Sequence, residues 1–146
     1  MKLVVDTNII FSALLSPEGT ISDLILNSSD VFDFYSPTFV LEELDNHRAK
    51  LLKITDLSKK ELDFLQMMLF KKIDLIDLES IRTATFEAAV KLTKNVDKFD
   101  APFIALALEL ESPLWTGDKK LIKGISKQGI GWVLSTSIIT EIRDSH

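Results

Sequence analysis

The chain alternates between short apolar runs and longer amphipathic ones. Leu3-Val4-Val5, Phe32-Asp33-Phe34-Tyr35, Leu75-Ile76-Asp77-Leu78, Leu114-Trp115-Thr116 and Trp132-Val133-Leu134-Ser135 are short and rich in β-branched or aromatic residues. They predict five strands. The segments between them predict helices. The first runs from Asn8 to Leu15 and the second from Thr20 to Asn27, with Asp23 placed to complete a cap. Ser36-Pro37 reads as N-cap and first helical residue of a third helix, extending to about Leu52. Ser58-Lys59-Lys60-Glu61 is a capping box for a helix to about Phe70. Further helices are expected over Ser80–Lys94, from Asp100-Ala101-Pro102 to Glu111, over Lys119–Lys123 with a stop at Gly124, and over Ser137–Arg143. Strands alternating with helices predict an α/β fold with a mostly parallel sheet, whose ligands gather at the carboxyl ends of the strands. No repeat, linker or low-complexity stretch divides residues 1–146, so a single domain is expected.

Composition narrows the chemistry. The 146 residues carry a net charge of −5, which argues against a basic coat for nucleic acid. An acidic pocket filled with divalent cations would invert that charge locally. The absence of cysteine excludes disulfides and thiolate zinc sites. Asp6 interrupts any apolar leader, and the uncharged run Thr7–Pro17 is too short to span a bilayer. A soluble cytoplasmic protein without membrane contact is the expectation.

Several acids are candidates for a common site. Asp6 follows a buried strand, and a carboxylate there must be paired, hydrogen-bonded or metal-bound. Asp118 follows Leu-Trp-Thr-Gly in the same way, although Asp between Gly and a helix is also a common N-cap. Asp100 could likewise cap its helix through the Phe103 amide, but the small apolar face Ala101, Ile104, Ala105, Leu108 draws its start toward the sheet. Asp97 reads as support or surface. In the third helix Val40, Leu41, Leu44, Leu51 and Leu52 mark the buried face. Glu43 falls roughly 115° from its centre and Glu42 roughly 145°, which favours Glu43. His47 reads as a semi-buried packing residue rather than a ligand.

Three or four carboxylates at one place would repel unless hard cations offset them; Mg2+ suits oxygen ligands and retains waters that can serve as nucleophiles. At this point the ordered set Val-Val-Asp-Thr-Asn, Leu-Glu-Glu-Leu, Asp-Ala-Pro-Phe-Ile-Ala-Leu-Ala and Thr-Gly-Asp resembles the PIN-domain nucleases, above all the compact toxins of the VapBC type. The resemblance covers essentially the whole chain. It implies a three-layer α/β/α sandwich around a parallel five-stranded sheet and a Mg2+- or Mn2+-dependent ribonuclease. The family's acidic quartet falls on Asp6, Glu43, Asp100 and Asp118 as catalytic and metal-binding residues. Thr7, Asn8 and Thr116 match supporting polar positions. It also implies a homodimer and a cognate antitoxin that covers the acidic cleft. One departure stands out: Lys120 occupies a position where many relatives carry a further acid, which puts a second metal in question. Lys119, Lys120 and Lys123 are candidates for RNA phosphate contacts or a solvated helix face.

Two other readings compete. A phosphohydrolase with Asp6 as nucleophile would want an acid two residues later, where Asn8 stands. A PIN-like module that binds RNA or protein without cutting it is the non-enzymatic alternative. The five glycines form neither a P-loop nor a dinucleotide fingerprint.

Overall fold

Leu3, Val4 and Val5 have no solvent exposure, and they form the middle strand of the sheet. The computed structural model describes residues 1–146. Its strands are β1 (Lys2–Val5), β2 (Asp33–Pro37), β3 (Ile73–Ile76), β4 (Leu114–Trp115) and β5 (Val133–Leu134). They lie in the order β3-β2-β1-β4-β5, and every neighbouring pair is parallel. Such a strand is screened from water on both faces, hence its unbroken apolar sequence.

Strand order then places the helices. The chain steps outward from β1 to β2 to β3, returns across the sheet to β4, and continues to β5. With right-handed crossovers the two directions put helices on opposite faces. On one face α1 (Thr7–Leu15) packs against α2 (Thr20–Asn27), α3 (Val40–Asn46), α4 (Arg48–Ile54) and α5 (Lys59–Phe70). On the other, α7 (Ala101–Leu110) lies across β1, β2 and β4 beside α6 (Thr83–Thr93). Helix α8 (Lys119–Ser126) follows β4, and α9 (Thr136–Asp144) is tied to α2 by the Arg143–Asp23 ion pair at 2.6 Å. Trp115 on β4 is fully buried and donates its indole N–H to Thr136 Oγ1 at 3.0 Å, which fixes the start of α9. No single helix is long and apolar enough to cross a membrane.

The structure departs from the sequence pattern at four places. Ser36 and Pro37 end β2 instead of opening a helix. The Asp33 amide donates to the Met1 carbonyl, and repeating that ladder step would bring residue 37's amide to Val5. Proline has no amide hydrogen, and the buried Ser36 hydroxyl donates to the Val5 carbonyl in its place at 2.8 Å. The expected long third helix is broken at His47 into α3 and α4, so its apolar face is not continuous and Leu41 is exposed. Strand β3 sits two residues earlier than expected, because Asp77 accepts the Glu79 amide and starts a 3-10 turn over Leu78–Ser80. Gly124 lies inside α8 and does not end it. A Cβ there would stand 2.6 Å from a Val96 methyl, so the glycine is a contact point between α8 and the loop before α7.

Candidate active site

Between β1 and β4 the direction of winding reverses, and in parallel sheets the crevice beyond such a point is where ligands bind. Asp6 leaves β1 there and Asp118 follows β4. The two are joined by one side chain. Thr116 donates its hydroxyl to Asp6 Oδ2 at 2.6 Å and accepts the Asp118 amide at 3.1 Å. Asp6 is 3% exposed and Thr116 wholly buried, so this charge-assisted bond is shielded from water. The other Asp6 oxygen accepts the Asn8 amide only at 3.4 Å, a weak cap for α1.

Glu43 arrives from α3 on the β2 side. The Thr7 hydroxyl donates to Glu43 Oε1 at 2.9 Å, while Glu42 is exposed. Thr7 therefore orients Glu43 rather than Asp6. Asn8 serves Asp6 through its backbone amide, its side chain being exposed. Asp118 Oδ1 accepts the amides of Lys120 and Leu121 at 2.9 and 3.2 Å, making it the N-cap of α8 as well as a neighbour of Asp6.

Asp100 arrives from the opposite face, at the end of a 3-10 turn over Lys98–Asp100 and the start of α7. It makes no capping bond, and its Oδ2 is buried without a hydrogen-bond partner. Burial pushes its pKa up to about 7, and the charges of Asp6, Asp97, Asp118 and Glu43 add to the rise. Burial likewise raises Asp6, against the Thr116 bond, and raises Glu43, against the Thr7 bond. Asp97 is exposed and accepts the Phe99 amide at 2.9 Å, so it shapes the turn that presents Asp100. Lys119, Lys120 and Lys123 are exposed on α8.

No group of three His, Asp or Glu side chains is disposed to hold a metal ion. The donor chemistry nonetheless fits a hard cation. The donors are all oxygens, three of the carboxyls resist ionisation where they stand, and one oxygen has no partner.

The structure places His47 differently from the sequence expectation. It is exposed, not semi-buried, and its ring meets Phe11 edge-on at 5.9 Å. The helix break that turns it outward has no proline or glycine to announce it.

A family model for the PIN domain matches residues 4–137. The chain belongs to the PIN-domain family. As a PIN domain it is similar in fold to a chain of the crystal structure of VapBC2 from Rickettsia felis bound to a DNA fragment from their promoter. The TM-score is 0.66 at 15% identity, over 92% of this chain and 97% of that one. No curated protein matches the sequence.

Proposed function

We propose that this PIN domain is a metal-dependent endoribonuclease whose working groups are Asp6, Glu43, Asp100 and Asp118. The observation that carries this reading is Asp100: a buried, unpartnered carboxylate oxygen beside three further acids at the switch point of the sheet. Left alone such a carboxylate oxygen costs stability, and unlike the buried hydroxyls of Ser22, Ser28 and Ser112 it stands among other acids, where a cation would satisfy it. The four acids would hold Mg2+ or Mn2+. The cation, when bound, supplies a water of lowered pKa and positive charge opposite the phosphate.

The chain's own groups do the rest. Thr116 and Thr7 each hydrogen-bond one oxygen of Asp6 and Glu43, which restrains the two carboxylates at the site. Asp118 is fixed by two amides of α8 and keeps its second oxygen for the site. Asp100, which holds a proton up to about pH 7 in the structure, would give that proton up to serve as an oxygen donor beside the cation. In the hydrolysis the attacking water's oxygen bonds to phosphorus, the bond from phosphorus to one ribose oxygen breaks, and that oxygen leaves with a proton.

Incubation of end-labelled RNA with the protein tests this directly. Cleavage in Mg2+ or Mn2+ and none in EDTA is expected; cleavage that survives EDTA overturns it. RNA affinity without cleavage in either metal would favour a silent binding module. The likeness to a VapBC2 chain supports a further proposal, that the protein is the toxin of a toxin–antitoxin pair and is restrained by a cognate antitoxin; that it acts as a homodimer is proposed from the family resemblance alone. Growth arrest on expression, relieved by Asp6→Asn, is the expected sign.

A further inference from the structure

Beside the four acids lies a second feature that metal chemistry does not use. His47 stands at the break between α3 and α4, one turn after Glu43 and one turn before Lys50. Phe11 of α1 braces its ring from the side, at an interplanar angle of 80°. Thr7, Asn8, Phe11, Glu43, His47 and Lys50 line an open pocket of about 170 Å3. Two of its walls, Thr7 and Glu43, belong to the acidic site.

Lys50 is exposed and makes no ion pair, whereas its neighbour Arg48 is held by Asp63 at 2.7 Å. Glu43 is already bonded to Thr7. The pocket therefore offers a free ammonium, an exposed aromatic ring and the Asn8 amide next to a cluster of carboxylates. An anionic group carrying a planar ring satisfies all three. Aromatic rings, histidine included, stack unpaired bases, and lysine meets phosphate as a point charge.

Resting on the ribonuclease reading, we propose that this pocket seats the nucleotide flanking the scissile phosphodiester, with Lys50 on its phosphate and the Phe11–His47 pair against its base. In the order of the sheet, α3 and α4 follow β2 while α8 follows β4, and β1 with Asp6 lies between. The pocket thus flanks the acids on the side away from Lys119 and Lys120. A single strand crossing the acids meets cations before and after them, which is how a chain of net charge −5 can hold a polyanion.

The test uses the full unmodified chain with Mn2+ and a short single-stranded oligoribonucleotide whose mapped cut site carries a non-hydrolysable methylene-phosphonate link. Adding Lys50→Gln should weaken binding several-fold and lower the slope of log affinity against log salt by about 0.7, one single-strand phosphate. An abasic residue at one flank of that link should weaken binding by the unmodified protein roughly tenfold. With His47→Ala added, that position should no longer matter, and His47→Phe should restore its effect. Both side chains are exposed, so folding is retained, and unchanged melting temperatures check it. An unaltered salt slope in Lys50→Gln, or an unaltered abasic penalty in His47→Ala, overturns the proposal while leaving the nuclease standing. An unmodified protein that neither cuts nor binds RNA sinks both.

Discussion

Asp100 is where the proposed function and stability conflict most openly. Its carboxyl binds a proton up to about pH 7 in the folded chain, against about 3.9 for an ordinary aspartate. Between those values the folded state holds more protons than the unfolded state, so stability falls as pH rises. Without divalent metal, Asp100→Asn should therefore stabilise the protein at pH 8 and not at pH 4. The gain should be roughly 1–2 kcal/mol, less than a dry site would give because Asp100 is only partly buried. Urea unfolding in EDTA at the two pH values checks this; a loss of stability at pH 8 would show that the carboxylate is a structural group. Asp6 is the contrasting residue, since Thr116 supplies part of what burial removes.

At the scale of elements, the parts most legible in the sequence were those with one physical cause. Leu3-Val4-Val5 is apolar because both faces of the sheet are covered, and Ser58 with Glu61 closes its capping box as its spacing predicts. Elements with two causes were misread. Ser36-Pro37 has the chemistry of a helix start, yet the serine hydroxyl is spent on Val5 and the proline on a strand end. Gly124 has the composition of a stop, yet its missing side chain admits Val96. The helical-wheel angle that separates Glu43 from Glu42 assumes a continuous helix that the structure breaks at His47; both glutamates precede the break, and Glu43 is the one bonded to Thr7 while Glu42 is exposed. Gly124 also joins α8, which carries Asp118, to the loop that leads to Asp100. Gly124→Ala should cost about 1–3 kcal/mol by overpacking, and Val96→Ala in the same chain should recover part of it. Thermal melts of the single and double variants measure both, and additive losses would contradict the contact.

At the scale of the molecule, the order β3-β2-β1-β4-β5 brings four acids from distant parts of the chain to one edge. The place of Asp6, Asp100 and Asp118 at a strand end or helix start is legible in the sequence; the separation of the four acids is not, because no local pattern sets the distance between α7 and α3. Closing that distance around a cation should stabilise the whole chain. Mn2+ at about 100 times its dissociation constant should raise the melting temperature by roughly 5–10 °C. Asp6→Asn should abolish most of that rise, and an equal rise in the variant would place the cation elsewhere.

The most direct measurement is the single-turnover rate of RNA cleavage in Mn2+ by the unmodified protein and by Asp6→Asn, at matched folded fraction. The change keeps the size of the side chain and an acceptor for Thr116 while removing the charge. If Asp6 is the centre of the site, the rate falls by at least about a hundredfold with little change in melting temperature. A rate within a few-fold of the unmodified protein, from a variant that is equally folded, would contradict it.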